Sequence, residues 1–347
     1  MSAFWEGKTS PWDEAQLAAL GIVRLEVPVP FEDTGGPANV YAIENADGTL
    51  SLWDAGFGTP PALARLLKTA AARGVNLDNV SRIFISHAHV DHYGAAEALA
   101  SRCGAKVYVH PADADRIVVP SDWTAVLYKH GDYMRKLGVS PQEMEEMKRS
   151  FRGSEVFAPP VSKERLVPME AGDVFRFAKF SGEILHAPGH SAGLVCLWAQ
   201  TPNLLFSNDL ILERIAPAPF LDLSRGEGDS KFLALVEYLA SARRFADMPF
   251  DAILPGHGAA FVGHKALLNA LLGFYEQRGQ RLLKLLAPAP MTVRALVNCL
   301  FARPEAVRIW PMLSGVLAAL EVLETEGHIQ RTEEGGQFWF SLRPPLG

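Results

Sequence analysis

Residues 86–94 read SHAHVDHYG, which places three of the chain's ten histidines and an aspartate within six positions. The preceding stretch, Ser81-Arg82-Ile83-Phe84-Ile85-Ser86, has the apolar density of a buried strand. The cluster therefore falls where a strand ends and a helix is about to begin. Four titratable side chains are expensive to bury unpaired at such a point, so the placement suits a site. Side-chain alternation at strand-like spacing puts His87 and His89 on the same side, within reach of one cation. Asp91 and His92 lie just beyond, at the turn into the helix, within reach of a second. Imidazole and carboxylate together suit Zn²⁺, with Fe and Mn as lesser candidates.

The length of 347 residues allows a sizeable core and two domains. A hydrophobic content of 48% and a charged content of 21% are those of a soluble globular protein. The net charge of −6 argues against bulk nucleic-acid binding. Residues 1–264 hold 24 Lys+Arg against 32 Asp+Glu, a balance of −8, while residues 265–347 hold 9 against 7, a balance of +2. The opening MSAFWEGKTSPWDEAQ lacks a basic segment followed by an apolar run, and no apolar run is long enough for a membrane span. Cys103, Cys196 and Cys299 are scattered and odd in number, which fits reduced thiols and a cytoplasmic location.

Along the chain, strands are expected at Leu25–Val29, Asn39–Ile43 and Thr49–Asp54, the last two joined at Asp47-Gly48. A helix follows Thr59-Pro60-Pro61, then come the strand at 81–86, a helix at 94–102 and a strand at 106–110. Residues 113–160 break this rhythm. Helices at Trp123–Leu137 and Pro141–Phe151 form an insertion, read either as a hairpin packed on the core or as a lid over the histidine cluster. Strands resume at Arg165–Val167, Asp173–Phe180, Ser181–His186, Gly193–Ala199, Leu204–Ser207 and Ala252–Leu254, with a helix at Ser230–Phe245 before the last. The tail gives a helix at His264–Leu286, one opened by Thr292, one opened by Pro311, and a hairpin around Glu333–Gly336. Helices followed by a hairpin suggest a winged-helix domain over 265–347, beside a domain over 1–264.

Three further metal-capable side chains follow apolar strands: His190 in Ala187-Pro188-Gly189-His190-Ser191, Asp209 in Leu205-Phe206-Ser207-Asn208-Asp209, and His257 in Leu254-Pro255-Gly256-His257-Gly258. Together HAHVDH, PGHS, the aspartate of SND and PGHG resemble the metallo-β-lactamase superfamily, its glyoxalase II-like and lactonase-like branches in particular, over roughly residues 21–264. The resemblance implies an α+β fold, an αββα sandwich with the site at one edge between two sheets. It implies one ion held by His87, His89 and His190, a second by Asp91, His92 and His257, and Asp209 bridging both. Asp54, in Leu52-Trp53-Asp54-Ala55-Gly56, matches the family's early aspartate, which supports the ligands from behind. Two departures stand out: Asn208 precedes the bridging aspartate where the family often has a small residue, and the tail is not the helical domain of the glutathione-thioester hydrolases.

The chemistry so implied is hydrolysis by a hydroxide shared between two Zn²⁺ ions, with Fe or Mn as alternatives and Asp91 orienting the nucleophile. The first expectation is a small-molecule acyl substrate: a carboxylic ester, thioester or lactone. Tyr93, directly after the cluster, and Trp123, Tyr128 and Tyr133 of the insertion are the candidates for the wall of its pocket, although packing competes as their role. The alternative is a single-strand RNA or phosphodiester nuclease on the same site, favoured by the tail and disfavoured by the lack of a basic track. A diiron oxygen-reductase would carry Glu at the second ligand position, where His89 stands. His110, His130, His186, His264 and His328 fit no ligand slot. The tail's PMLSGVLAALEVLETEG is too apolar and acidic for a recognition helix, so packing or homodimer formation is its expected task.

Overall fold

The computed structural model describes residues 8–9, 12–30, 35–119, 129–150, 158–217, 231–301 and 306–344. In chain order its strands are β1 (Lys8–Thr9), β2 (Ile22–Val27), β3 (Ala38–Glu44), β4 (Leu50–Trp53), β5 (Val80–Ile85), β6 (Lys106–Val109), β7 (Leu166–Pro168), β8 (Val174–Arg176), β9 (Ser181–His186), β10 (Val195–Ala199), β11 (Leu204–Asn208), β12 (Ala252–Pro255), β13 (Phe261–Val262), β14 (Ile329–Glu334) and β15 (Gln337–Leu342). The chain folds into two units, each packed mainly on itself. The first holds residues 1–120, 155–217 and 241–270, and the second holds 121–154, 218–240 and 271–347.

The first unit contains two sheets. One has the order β2-β3-β4-β5-β6-β7 and the other β1-β13-β12-β11-β10-β9-β8. The first runs from antiparallel pairs into the parallel set β4·β5·β6·β7, and the second has one parallel pair, β11·β12, among antiparallel ones. Alternation along these strands sorts the apolar side chains into two layers. Ile22, Tyr41, Ile43, Trp53 and Phe84 of the first sheet meet Ile184, Val195, Leu197, Leu204, Phe206 and Leu254 of the second. The opposite face of the first sheet, with Leu25, Val27, Val40, Leu52 and Ile83, packs on Leu66 and Ala70 of the helix Pro60–Ala72 and on Leu99 of the helix Ala96–Cys103. Each fully buried aliphatic or aromatic side chain in these layers is worth about 1.5–3 kcal/mol. Parallel strand pairs end on the same side of a sheet, so the apolar strands deliver their following loops to one edge.

The second unit gathers the helices Gly131–Lys136, Pro141–Ser150, Val293–Leu300 and Ala306–Thr325 with the β14–β15 hairpin. Arg294 pairs with Glu143 at 2.6 Å, Lys136 with Glu333 at 2.9 Å, and Met291 bridges to Phe340. The Lys231 ammonium, buried, donates to the Tyr133 hydroxyl at 2.9 Å and pairs with the buried Glu321 carboxylate.

Several expectations are corrected. The split at 264 is replaced by an interleaved one, because the inserted helices take their partners from the tail. The strand expected over Asp173–Phe180 stops at Arg176, where Phe177 N–H donates back to the Phe180 carbonyl at 2.9 Å and closes a turn. The helix expected to open at Pro311 already begins at Ala306 and carries the proline inside it. Two further helices, Glu14–Ala19 and Pro111–Val118, add to the expected set, although the Asp13–Gln16 capping box and Pro111 mark their starts. Among the described residues no helix is long and apolar enough to cross a membrane.

Candidate metal centre

Strand ends supply every group of the site. β5 runs into His87 and His89, the short helix Val90–Tyr93 carries Asp91 and His92, and His190 follows β9. Asp209 directly follows β11, and His257 lies two residues beyond β12. These seven side chains converge into three overlapping trios: His87, His89 and His190; His87, His92 and Asp209; Asp91, His92 and His257. Within each trio the ligand-capable atoms lie within 4.8 Å of one another.

The Asp209 carboxylate sits between the outer two. Its Oδ2 is 3.4 Å from His190 Nε2 and 3.6 Å from His257 Nε2, and its Oδ1 is 3.5 Å from His92 Nε2. Asp91 Oδ2 is 3.4 Å from His257 Nε2 and 3.8 Å from His92 Nε2. A tetrahedral divalent cation with bonds of about 2.1 Å sets neighbouring donors about 3.4 Å apart. The spacing is thus that of ligands around an ion and is long for hydrogen bonds. His92 Nε2 and Asp209 Oδ1 are both buried and have no hydrogen-bond partner among the described residues, a costly state that a cation relieves. Gly256 closes the floor: a Cβ there would lie 2.2 Å from Asp209 Oδ1 and 3.0 Å from His92 Cε1. The residues present fit a divalent cation.

Hydrogen bonds behind the ligands fix the tautomers. His92 Nδ1 faces Asp54 Oδ2 at 2.8 Å, and His257 Nδ1 faces the carbonyls of Gly36 and Pro37 at 3.0 and 3.2 Å. Each ring therefore donates through Nδ1 and turns Nε2 to the centre. Asp54 has φ of +64°, and from that left-handed position its carboxylate also accepts from Ser86 N–H at 2.8 Å and Ser86 Oγ at 2.9 Å. Ser86 Oγ in turn faces His87 Nδ1 at 3.0 Å. Asn208, with φ of +48°, donates to Asp54 at 2.6 Å and accepts from Trp53 Nε1 at 2.5 Å. Asparagine tolerates that backbone better than most residues, which accounts for the departure noted before Asp209. Across the sheets, Asn39 Nδ2 donates to the Pro255 and Gly258 carbonyls at 2.8 Å and Tyr41 OH donates to Pro255 at 2.8 Å, clamping the His257 loop.

Electrostatics divides the site. Burial, with His92 and His89 beside it, holds His87 well below the usual histidine range, and burial does the same to His89. Both present lone pairs at neutral pH. Burial alone would also strip the proton from His257, but Asp209 reverses this and pushes it up to about 10. His92 is raised in the same way by Asp209 and Asp91. Burial would lift the Asp91 carboxyl, yet His92 and the His257 hydrogen bond hold it at about 2. Without a cation, two protonated imidazoles supply the positive charge the carboxylates demand.

Of the expected pocket residues, Trp123 and Tyr128 lie outside the described residues. Tyr93 is 2% exposed and packs in the apolar layer beneath the helices, its hydroxyl pushed up to about 12 by burial, so it is a core residue. Tyr133 is buried in the second unit with its hydroxyl engaged by Lys231. One buried carboxylate beside the site escaped sequence reasoning. The Asp113 carboxylate, fully buried, accepts from Ala88 N–H, Ser191 Oγ and Gly193 N–H. The available signal was an acidic residue in the first turn of a helix, which ordinarily answers only to the helix dipole. His110 caps that helix and stacks on His186 with ring centroids 4.2 Å apart, away from any ligand slot.

Comparison with known proteins agrees with this geometry. Residues 33–257 match the family model described as the metallo-beta-lactamase superfamily. The chain is 24% identical over 322 residues to a probable metallo-hydrolase of Bacillus subtilis, YqjP, spanning 92% of this chain and 97% of that one. It is 25% identical over 259 residues to the acyl-coenzyme A thioesterase MBLAC2 of Gallus gallus, spanning 72% and 82%. In fold it is similar to a metallo-beta-lactamase family protein of Thermus thermophilus, TTHA1429, with a TM-score of 0.75 at 23% identity over 93% of this chain and 99% of that one. A beta-lactamase domain protein of Burkholderia ambifaria gives 0.78 at 21% identity over 93% and 92%. With the ligand trios and the family match spanning the same stretch, the chain belongs to the metallo-beta-lactamase superfamily and carries that family's metallo-hydrolase type of site.

Proposed function

We propose that the protein hydrolyses a carboxylic ester, thioester or lactone of a small acyl molecule, using two zinc ions. The observation that carries this is the convergence of all seven donors into trios joined by one carboxylate, Asp209. His87, His89 and His190 would hold one ion, Asp91, His92 and His257 the other, and Asp209 both. Bound there, divalent cations supply Lewis acidity and bring the pKa of water down to about 7. The chain's own part is to hold the donors in place and to aim the nucleophile. Asp91 Oδ2, ionised at neutral pH and close to His257 and His92, accepts a hydrogen bond from the attacking water and fixes its direction. The apolar floor under the short helix excludes bulk water from that side.

The similarity to a protein named as an acyl-coenzyme A thioesterase supports an acyl substrate, and the net charge of −6 disfavours a nucleic acid. A cytoplasmic location and a homodimer formed through a winged-helix-like tail complete the reading. The order of the helices Val293–Leu300 and Ala306–Thr325 before the β14–β15 hairpin supports the winged-helix-like part of it.

Metal analysis of the purified protein, followed by a panel of ester, thioester, lactone and phosphodiester substrates, tests the proposal. Two equivalents of zinc and turnover on an acyl substrate are expected. Preference for phosphodiesters would replace it with the nuclease reading. The Asp91→Ala variant is expected to lose about 10²–10⁴-fold in turnover, and unchanged turnover would dismiss its role.

A further inference from the structure

Asp113 stands in the first turn of the helix Pro111–Val118, which leaves the end of β6 beside β5. Among the described residues its carboxylate meets three donors, and Asp113 is itself 0% exposed. Ala88 N–H reaches Oδ2 at 2.9 Å, Ser191 Oγ–H reaches Oδ2 at 2.7 Å, and Gly193 N–H reaches Oδ1 at 3.0 Å. Ala88 lies between His87 and His89, and Ser191 directly follows His190. One carboxylate thus joins the two loops that carry the three imidazoles of the first trio, loops about a hundred residues apart in sequence. The approach is close on the chain side as well. A Cβ at Gly193 would lie 2.7 Å from Asp113 Cγ and 2.9 Å from Asp113 N, so the loop rests directly on the aspartate and its backbone.

Asp54 does the corresponding work at His92 and Asn208, and through Ser86 at His87. None of the three contacts of Asp113 touches the Asp91–His92–His257 trio. We infer that Asp113 is a positioning residue that sets the affinity of the cation held by His87, His89 and His190, separately from the one held by Asp91, His92 and His257. The inference rests on the metal reading above. Its physical basis is that a three-nitrogen site tolerates only small errors in ring position, and two loops with no covalent link of their own need a common anchor. A carboxylate suits the place because all three partners donate. An asparagine offers one oxygen and turns an amide towards a donor, so it cannot satisfy all three.

Cobalt titration of the full-length, metal-free protein tests this by visible absorption and by the cobalt-shifted imidazole proton resonances, without reference to turnover. The wild type is expected to bind two Co²⁺. In Asp113→Asn one of the two should bind about 10–100-fold more weakly, its loss removing three shifted imidazoles together, while the other ion keeps its affinity. Ser191→Ala leaves the carboxylate and two of its three hydrogen bonds in place, and should show the same selective loss in smaller degree even if the aspartate variant folds poorly. Unchanged binding of both ions in both variants overturns the inference and leaves the metal reading standing. Equal weakening of both ions also overturns it, since that marks a general structural role. Failure of the wild type to bind cobalt removes the metal reading and this inference with it.

Discussion

The side-chain amide of Asn208 donates to the Asp54 carboxylate at 2.6 Å, linking the end of β4 in one sheet to the end of β11 in the other. Asp54 lies behind His92 and Asn208 immediately precedes Asp209, so the contact joins two ligand-bearing elements from opposite layers. Both residues sit at positive φ. Asn208→Gly keeps the backbone but leaves Trp53 Nε1 without its acceptor, and is expected to cost about 1–3 kcal/mol. Asn208→Ala adds about 1–2 kcal/mol for a left-handed backbone with a Cβ. Urea unfolding of the metal-free protein measures both, and equal stabilities would contradict the assignment of strain.

Gly256 is the residue for which the site has no spare volume. In Gly256→Ala the methyl group must displace Asp209 or His92. The fold should survive, as judged by circular dichroism, while competition against a chelator shows cation affinity lowered about 10–100-fold. Wild-type affinity in this variant would show that Asp209 is not held where the structure places it.

His257 gives the metal-free protein a defined pH response. Its folded pKa of about 10 lies above the ordinary 6.5, so its contribution to stability is complete below about 6.5 and disappears as pH climbs through about 10. Asp91 acts at the other end: held at about 2 against an ordinary 3.8, it stabilises above that ordinary value and stops doing so as pH falls through about 2. At pH 7 a cation must expel the His257 proton to bind, so affinity rises with pH towards 10. Calorimetric titrations in two buffers of different ionisation enthalpy should give heats that differ through the protons His257 and His92 release. Identical heats would refute the protonated imidazole.

In the second unit, Lys231 and Glu321 form an ion pair in which both side chains are under 10% exposed. Lys231→Met strands a buried carboxylate and is expected to destabilise that unit by about 3–5 kcal/mol. Replacing both partners with apolar residues of similar volume should recover most of the loss. Thermal unfolding of the single and double variants decides it, and additive losses would show that the pair is not coupled.

The donors of the centre were legible in the sequence because each follows a run of apolar residues that can only be a buried strand, and because His87, His89, Asp91 and His92 leave no other economical use for so many titratable groups at one turn. Asp54 was legible through resemblance alone. Asp113 was not, since PADADRI reads as an ordinary helix start and its partners lie at Ala88 and Ser191, far from it in sequence. Most strands of the first unit followed from hairpin signals and apolar runs, but β1 and β13 are two residues each and carry no periodicity to detect. The grouping of residues 121–154 with the tail depends on pairs such as Glu143 with Arg294, which no local pattern encodes.

Each unit is assembled from three stretches of chain, with passages at 120/121, 154/155, 217/218, 240/241 and 270/271. No single proteolytic nick can separate the two, because any cut leaves at least one fragment holding pieces of both. A gene that exchanged this second unit for another would need five seams, all in register. The smaller unit is therefore no cassette attached to an enzyme. It is inherited with the larger one, and a truncation at residue 264 would leave its inserted helices behind without their partners.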